Sequence, residues 1–290
     1  YGVHAGGTMA HSWVQMFDSQ YEAFKTYCQI YPHNATLLVD TYNVLRHGVP
    51  DAIRVFDEVL KPMGKRPKGI RIDSGDLAWN AKQARAMLDE AGLTDTGVVL
   101  SNDLDEFAIK SIRDSGAKVA SWGVGTKLVT AYDQPALGGV YKLAAKRMKG
   151  GKWEPCVKVT GQSSKQTVPG ILDVRRYFHE SGTIAGDMVF DVLYPVSSER
   201  IVDPADELRQ KDLSGLRYET LLEPLARAGK VVLDVEARDA LVARDRCREQ
   251  LALLDESQKR IVNPHSYPVG LEYSLFYRRR DLVSRLLGLS

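Results

Sequence analysis

Short apolar runs alternate with helical patterns from residue 37 to about residue 145, and this alternation is what most constrains the fold of the chain. Between the runs, apolar side chains recur every three or four residues, the spacing of a helix with one buried face. Such alternation predicts a parallel sheet with right-handed helical crossovers. The predicted strands are residues 37–39, 69–73, 98–100, 119–124 and 140–144, and the predicted helices are residues 12–31, 50–60, 80–91 and 105–115.

The first four predicted strands each end in small or polar residues. Because the carboxyl ends of parallel strands meet at one edge of a sheet, these ends should form one polar rim, which is how a TIM-like barrel builds an active site. The sequence therefore predicts an α/β fold with a β/α barrel and a functional site at the strand ends. The four ends are Asp40-Thr41, Asp73-Ser74-Gly75, Ser101-Asn102-Asp103 and Gly123-Val124-Gly125-Thr126.

The pattern changes after Lys146. Residues 148–153 are typical of a hairpin turn, and Pro169-Gly170 and Ser181-Gly182 separate short runs of β-forming residues. This part of the chain therefore predicts a mostly β region.

Helical patterns return at residues 237–254 and 275–287. The arginines between residues 278 and 285 favour a solvated helix face over a nucleic-acid contact. We therefore expect a β/α barrel segment with the active-site rim over residues 1–146, and a β-rich lobe with C-terminal helices over residues 147–290.

Charge and cysteine content narrow the class of protein. With 39 basic and 37 acidic side chains the net charge is +2, so no overall field would recruit nucleic acid or an anionic membrane. Cys28, Cys156 and Cys247 are too widely spaced for a disulfide framework or a Cys-x-x-Cys zinc site. No apolar run approaches the ~20 residues that span a bilayer. We expect a cytoplasmic protein that binds small molecules, without a nucleic-acid or membrane partner.

Residues 69–76 place one cation and two carboxylates at the end of a predicted strand. Arg71 and Asp73 alternate with apolar residues, and Ser74-Gly75-Asp76 ends the run before a helical pattern. Such a cluster can bind a charged substrate. It can equally be a structural Arg-Asp pair with Asp76 as a helix N-cap, and the residues alone leave both interpretations open.

The sequence around His11 suits a histidine that takes part in catalysis or binding. Two glycines and the hydroxyl of Thr8 precede His11 at the mouth of a helical segment. A histidine there can act as a nucleophile, a base or a phosphate ligand. The structural alternative is a first-turn histidine whose ring is satisfied by Ser12 or by the backbone.

Two further strand ends carry groups that suit a phosphate. Gly123-Val124-Gly125-Thr126-Lys127 supplies backbone N–H groups, a hydroxyl and a cation, which can cradle an anion. Ser101-Asn102-Asp103 supplies donors and a carboxylate, although Asn102 or Asp103 would also cap the following helix. With the Arg-Asp pair and the histidine, these groups suit a phosphorylated sugar, whose hydroxyls or magnesium ion the carboxylates would bind.

Six strings in consistent order make the chain resemble nicotinate phosphoribosyltransferase. The resemblance covers residues 1 to about 175, and residues 165–170 and 267–271 extend it. It implies the incomplete TIM-like β/α barrel of type II phosphoribosyltransferases, with a smaller β-rich and helical C-terminal region. The six strings are Gly7-Thr8-Met9-Ala10-His11-Ser12, Leu38-Val39-Asp40-Thr41-Tyr42, residues 69–77, Ser101-Asn102-Asp103-Leu104-Asp105-Glu106, residues 123–130 and residues 135–143.

The family reaction joins nicotinate to phosphoribosyl pyrophosphate, forms nicotinate mononucleotide and pyrophosphate, and is coupled to ATP hydrolysis in NAD salvage. By resemblance, ATP would phosphorylate His11, and magnesium-bound pyrophosphate would leave as the nicotinate nitrogen attacks the anomeric carbon. The resemblance thus implies ATP and Mg²⁺ but no tightly bound organic cofactor. It also implies a homodimer for the full-length enzyme.

The resemblance further implies roles for the residues of the matched strings. His11 and Asp73 would be catalytic, and Thr8 and Asp40 are further candidates. It leaves the metal ligands and the nicotinate pocket unidentified. The residues expected to bind phosphoribosyl pyrophosphate are Arg71, Ser74, Ser101, Asn102, Asp103, Gly123, Gly125 and Thr126.

Members of the family carry a further N-terminal region of ~100–200 residues, and this chain begins at Tyr1 without a methionine. We therefore expect a C-terminal part of a longer protein that is inactive by itself. One alternative is a nicotinamide phosphoribosyltransferase, although the Thr-x-Ala-His-Ser and Ser-Asn-Asp-Leu-Asp-Glu strings favour nicotinate. The other alternative is a non-catalytic or split fragment, against which the intact anion-binding strings count.

Overall fold

The computed structural model describes residues 6–136, 138–159, 167–233 and 239–289. The described residues divide into two compact units, which lie within residues 6–138 and residues 139–289. Each unit has its own sheet and its own buried core. Of the predicted features, residues 165–166, residues 237–238 and Leu137 lie outside the described residues.

The first unit alternates helices and strands in the predicted order. Wider π-type turns at Val44–Gly48 and Phe56–Leu60 extend α3 at both ends into one helical stretch. The helices are α1 (His11–Gln15), α2 (Gln20–Ile30), α3 (Val49–Val55), α4 (Leu77–Glu90), α5 (Glu106–Asp114) and α6 (Thr126–Val129), and the strands are β1 (Thr36–Leu38), β2 (Gly69–Ile72), β3 (Gly97–Ser101) and β4 (Ser121–Gly123).

Within the described part of the chain, β1 to β4 form a parallel sheet in sequence order. Leu37 of β1 lies beside Ile70 of β2, and Leu100 of β3 lies beside Trp122 of β4. The predicted α/β class and the parallel pairing are therefore confirmed. A barrel, complete or incomplete, stays a prediction.

Burial on both faces explains why the first three strands form. Leu37 and Leu38 are neighbours in β1 and point to opposite faces of the sheet, yet both are fully buried. Ile70 and Ile72 on β2 are also fully buried. Strands that are covered by helices on both faces read as continuous apolar runs, which is why their positions were predictable.

The second unit is rich in β-strands and contains two helices in the described residues. In the described residues its main sheet runs β10-β9-β14-β8-β7-β11. No helix of the described residues is long and apolar enough to cross a bilayer. The strands are β5 (Ala145–Arg147), β6 (Trp153–Pro155), β7 (Leu172–Phe178), β8 (Ile184–Asp191), β9 (Arg200–Asp203), β10 (Asp206–Asp212), β11 (Arg217–Thr220), β12 (Ala226–Arg227), β13 (Lys230–Val231) and β14 (Val269–Glu272), and the helices are α7 (Ala240–Ala252) and α8 (Tyr273–Leu286).

A partly buried ion pair joins three elements of the second unit. Arg176 on β7 donates to both carboxylate oxygens of Asp187 on β8, at 2.9 and 2.8 Å. The same guanidinium donates to the side-chain oxygen of Gln250 on α7 at 2.8 Å. This bidentate geometry fixes the register between the two strands and ties α7 to the sheet.

The predicted strand at residues 140–144 is wrong. Val140 and Tyr141 are 71% and 102% exposed, so no neighbouring element buries the apolar side chains that suggested a strand. The strand begins one residue later, where β5 pairs antiparallel with β6 around the hairpin turn predicted at residues 148–153, which is confirmed. An apolar run forms a strand only where a partner strand and a core are available.

The predicted helix at residues 12–31 is two helices. Ser19 lies between them in an extended conformation, and its hydroxyl accepts a hydrogen bond from the backbone N–H of Glu22 at 3.2 Å. A serine with a glutamate three residues later is an N-cap pattern. That signal marks the start of α2 and was overlooked.

Gly48 allows the stretch before α3 to pack against the end of the first strand. A Cβ atom at this position would lie 1.8 Å from the carbonyl oxygen of Val39, and Val39 is itself fully buried. The backbone of Gly48 has ordinary right-handed helical angles, so space and not conformation requires glycine here.

We expect Gly48→Ala to destabilise the chain by about 3 kcal/mol, because the methyl group would meet a backbone atom that cannot move independently. Urea unfolding followed by circular dichroism measures this. Gly138→Ala is the matched control, because a Cβ there would meet no atom within 4 Å. Equal stability of the two variants would contradict the close approach.

Candidate functional site

The carboxyl ends of β1 to β4 lie side by side at one edge of the parallel sheet. The register places Ile72 beside Leu100, and Ser101 beside Gly123. The polar residues that follow these strands are therefore neighbours, as the sequence predicted. We call this edge the rim.

The side chain of Asp40 is buried at the rim, with 1% of it exposed. Its Oδ1 lies 3.1 Å from Nε2 of His11. Its Oδ2 accepts hydrogen bonds from the backbone N–H of Asp73 at 3.0 Å and from the Ser74 hydroxyl at 2.5 Å. One carboxylate thus connects the start of α1 to the end of β2.

His11 is the first residue of α1, and 42% of its side chain is exposed. An ionised carboxylate can only accept a hydrogen bond, so Nε2 of His11 donates to Asp40 and Nδ1 carries the lone pair of the neutral ring. The partner of the ring is thus the Asp40 carboxylate, where the structural alternative named Ser12 or the backbone. The hydrogen bond to Asp40 therefore orients the ring, and part of the ring remains exposed to solvent.

Arg71, Asp73 and Ser101 form a second network beside the first. Arg71 Nη2 donates to Asp73 Oδ1 at 2.8 Å, and Arg71 Nε donates to the Ser101 hydroxyl at 2.7 Å. The Ser101 hydroxyl in turn donates to Asp73 Oδ1. The network joins the ends of β2 and β3, so the predicted Arg-Asp pair is present and includes a serine from the next strand.

The ionisation of Asp73 follows from this network. Partial burial acts to raise the pKa of Asp73, but the hydrogen bonds from Ser101 and Arg71 and the positive charge of Arg71 outweigh it and hold the pKa below its usual value. Asp73 is therefore a carboxylate at neutral pH. It can stabilise positive charge but has no proton to donate.

Asn102 and Asp103 occupy a strained part of the rim, directly after β3. Their φ angles are 92° and 39°, which few non-glycine residues adopt. Neither caps α5. That N-cap is Asp105, whose Oδ1 accepts a hydrogen bond from the backbone N–H of Ala108 at 2.7 Å, so the expected cap at Asn102 or Asp103 is wrong.

Asp76 is the N-cap of α4, as predicted. Its Oδ1 accepts a hydrogen bond from the backbone N–H of Trp79 at 2.9 Å. This contact explains Asp76 without a role in the site.

The residues of the predicted anion cradle form the end of β4, the loop that follows it and the start of α6. Gly123 lies against Ser101, and a Cβ at Gly123 would come within 3.0 Å of the Ser101 Cβ. Gly125 and Thr126 are exposed, and a Cβ at Gly125 would meet nothing within 4 Å. A ligand can therefore approach the loop backbone closely. Lys127, the next residue, forms an ion pair with Asp105. The sequence analysis did not include Asp105 among the site residues, although its position as the N-cap of α5 could be recognised from the sequence.

Thr8 lies away from the other candidates. Its hydroxyl donates to the backbone carbonyl of Thr36, the first residue of β1. The rim is formed by the opposite end of that strand. Thr8 therefore tethers the segment before α1 to the sheet.

A cavity of about 1010 Å³ opens elsewhere on the first unit. It is lined by residues of α3 and α4 and by the segment that precedes β2, including Phe56, Lys65 and Met87. These positions lie towards the amino-terminal ends of the strands, where conserved chemistry is uncommon in β/α folds. We locate the candidate site at the rim on the strength of its polar networks.

The rim offers carboxylates but no assembled metal centre. Among the described residues, no group of three or more His, Cys, Asp or Glu side chains could hold a metal ion. Any divalent cation bound at the rim would need further ligands from the substrate or from water.

The parallel sheet and its rim define an α/β protein with a cluster of polar side chains at the strand ends. Comparison with known proteins identifies the family. Residues 173–278 match the family model described as nicotinate phosphoribosyltransferase C-terminal domain. The chain belongs to the nicotinate phosphoribosyltransferase family.

Two relatives illustrate the extent of the match. Nicotinate phosphoribosyltransferase of Bacillus subtilis (strain 168) is 39% identical over 277 residues, which are 93% of this chain and 55% of that protein. Nicotinate phosphoribosyltransferase of Mus musculus is 30% identical over 274 residues, which are 91% of this chain and 49% of that protein. The chain thus spans about half the length of the curated relatives it matches.

Solved structures share the fold. Human nicotinic acid phosphoribosyltransferase superposes with a TM-score of 0.74 at 23% identity, over 97% of this chain and 62% of that one. Nicotinate-nucleotide pyrophosphorylase from Pyrococcus furiosus superposes with a TM-score of 0.54 at 19% identity, over 87% of this chain and 55% of that one. These likenesses confirm the α/β fold.

We expect Asp73→Asn to flatten the acid dependence of stability. The folded-state pKa of Asp73 lies below its usual value of 3.8, so the ionised network stabilises the fold above about pH 4 and loses this contribution as the pH falls through the folded-state pKa. The difference in free energy of unfolding between the parent chain and Asp73→Asn should therefore narrow between pH 6 and pH 3. Denaturant unfolding at several pH values tests this.

Ser101→Ala serves as the matched variant, because it keeps the carboxylate and removes one of its donors. It should reduce the acid dependence partly. A constant difference between parent and Asp73→Asn across this pH range would contradict the assigned network.

Proposed function

We propose that this chain provides the phosphoribosyl pyrophosphate side of a nicotinate phosphoribosyltransferase active site. The reaction would join nicotinate to phosphoribosyl pyrophosphate and release nicotinate mononucleotide and pyrophosphate, in NAD salvage. The observation that carries the proposal is the pair of adjoining networks on Asp40 and Asp73, which bring an oriented histidine beside a cation and an ionised carboxylate. Family membership supports the same reaction, and the relatives named for nicotinate favour the acid over the amide.

The Arg71–Asp73–Ser101 network would bind the charged and ribose parts of the substrate. The guanidinium of Arg71 is a donor suited to phosphate oxygens. Asp73, held as an anion, would face the anomeric carbon as positive charge develops there while pyrophosphate leaves. Ser74 and the Asn102-Asp103 turn would contact the ribose or its phosphates from either side.

The β4–α6 loop would hold the 5′-phosphate. Gly123 and Gly125 carry no side chain that could block the approach of an anion, and the Thr126 hydroxyl is an additional donor. The contact between Gly123 and Ser101 keeps this loop next to the phosphoribosyl network. The substrate would thus extend along the rim from β2 to β4.

His11 would be phosphorylated by ATP. Its Nδ1 lone pair would attack the γ-phosphorus, the bond from that phosphorus to the β-phosphate oxygen would break, and ADP would leave. Asp40 would position the ring and stabilise its positive charge during the transfer. Water would later attack the phosphorus of the phosphohistidine, break its bond to Nδ1 and release inorganic phosphate with the free ring, which couples ATP hydrolysis to product formation.

Magnesium would arrive with the substrates, as the ion bound to pyrophosphate and ATP oxygens. The described carboxylates do not assemble a resident metal centre, which supports this assignment. The sheet would form part of the incomplete TIM-like barrel of type II phosphoribosyltransferases. The nicotinate pocket and the contacts of a homodimer would be formed by the part of these relatives that this chain does not match. The free cysteines are consistent with a reducing compartment such as the cytoplasm.

We expect the chain to bind phosphoribosyl pyrophosphate in isothermal titration calorimetry. Arg71→Ala should weaken binding about tenfold or more, because a hydrogen bond to a charged group contributes roughly 1.5–3 kcal/mol. Arg66→Ala is the control, since Arg66 pairs with Asp95 at the other end of β2 and lies outside the rim. A parent chain that does not bind, or equal losses in both variants, would count against the proposal.

We also expect the chain to take up a phosphoryl group from ATP at His11. The adduct should be labile in acid and stable in base, and intact mass spectrometry would detect it. His11→Asn should abolish it, Asp40→Asn should slow it about tenfold or more by loss of orientation, and exposed His33→Asn should leave it unchanged. Phosphorylation that persists in His11→Asn would exclude the assigned role.

A further inference from the structure

An ion pair at the rim is left unexplained by the roles above. Asp105 follows β3 and Lys127 lies in the first turn after β4, and the ammonium of Lys127 donates to Asp105 Oδ2. The side chain of Lys127 is 36% exposed and that of Asp105 is 19% exposed. The pair is therefore partly exposed and lies directly after the Gly123–Thr126 loop, where the 5′-phosphate would bind.

The two oxygens of Asp105 have separate partners. Oδ1 accepts the backbone N–H of Ala108 and caps α5, whereas Oδ2 accepts Lys127. Release of Lys127 would therefore leave the helix cap in place. The Ala108 hydrogen bond and, next, the Lys127 contact hold the pKa of Asp105 below its usual value, so this carboxylate remains an anion without the lysine at neutral pH.

The ammonium of Lys127 remains charged throughout. Its hydrogen bond to Asp105 raises its pKa despite a smaller opposing effect of desolvation, and the nearby negative charge of Asp103 acts in the same direction. The ring of Tyr132 also lies near the ammonium, with its centre 5.8 Å away. Lys127 is therefore a full cation whose charge a single hydrogen-bonded carboxylate neutralises.

Lys127 is held more loosely than Arg71. Arg71 contacts both Asp73 and Ser101 through separate guanidinium nitrogens, whereas Lys127 reaches one oxygen at the end of a flexible chain. The Lys127–Asp105 pair is partly exposed, and a lysine–carboxylate pair that solvent reaches can exchange partners because solvent screens it. A dianionic phosphate offers more charge and more acceptor oxygens than one carboxylate.

We propose that Lys127 is a further phosphate-binding residue of this site, that Asp105 holds its ammonium while the site is empty, and that an arriving phosphate displaces Asp105. The proposal rests on the proposed function, because it needs the phosphate of the sugar at the Gly123–Thr126 loop. Asp105 is then a competitor of the substrate phosphate and sets how tightly that phosphate binds.

Competition predicts opposite effects for the two partners of one ion pair. Lys127→Gln removes the cation and weakens phosphate binding. Asp105→Asn keeps the helix cap, because asparagine caps as well as aspartate, but removes the competing charge and tightens binding. A pair that only fastened α6 to α5 would weaken binding whichever partner was changed.

The test is isothermal titration calorimetry of the whole chain with ribose 5-phosphate, with ribose as the uncharged comparison. We expect about tenfold weaker binding for Lys127→Gln and about threefold tighter binding for Asp105→Asn, with ribose binding unchanged. The double variant should match Lys127→Gln, because Asp105 acts through the lysine. Lys110→Gln and Asp114→Asn, an exposed pair on α5, are the matched controls and should not alter binding.

Three results would overturn the inference: weaker binding for both single variants, unchanged binding for both, or tightening by Asp105→Asn that persists without Lys127. Far-ultraviolet circular dichroism confirms that each variant is folded. If the parent chain binds and Arg71→Ala weakens binding while the pair variants have no effect, the inference alone fails. If the parent chain does not bind ribose 5-phosphate, both the inference and the proposed function fail.

Discussion

The carboxylate of Asp40 is almost fully withdrawn from water, and three donors from α1 and the end of β2 surround it. A buried charge is costly unless hydrogen bonds replace its hydration, so each donor is needed where it lies. Removing one would leave an unsatisfied anion next to Leu38 and Val39, which are fully buried. The orientation of His11 and the path of the backbone at Asp73 therefore depend on the same group, and the histidine cannot shift independently of the strand end.

From Asp40 the dependence extends across the sheet. The backbone of Asp73 is held by Asp40, and its side chain is held by Arg71 and Ser101. Ser101 in turn lies against Gly123, the last residue of β4, so the four neighbouring strand ends are linked in series. Because a one-residue slip would turn every side chain to the other face of the sheet, the strand register fixes the whole rim. The buried apolar residues thus position the polar ones.

Much of this arrangement could be predicted from local signals. Apolar runs covered by helices on both faces revealed β1 to β3, and Asp76 before α4 was readable as a cap. Signals that depend on a distant partner were misread. Residues 140–144 have strand-like composition, but Val140 and Tyr141 are exposed and the strand begins only at Ala145. The hydrogen bonds that make Asp40 the centre of the first network could not be predicted from local sequence either. Its partners are distant in sequence, since His11 lies 29 positions and Asp73 33 positions from it.

The two cations of the rim are each paired with a carboxylate before any substrate binds. Arg71 is paired with Asp73 and Lys127 with Asp105, whereas the Asp40 carboxylate accepts a hydrogen bond from the ring of His11. The pairs differ in how firmly they are held, from two hydrogen bonds for Arg71 to one for Lys127. A polyanionic substrate that entered such a site would find fixed donors at one end and a donor that can change partners at the other. The position of the substrate would then be fixed near the reacting carbon. Small movements would be confined to the distant phosphate, where they do not disturb the attack of the nucleophile on that carbon.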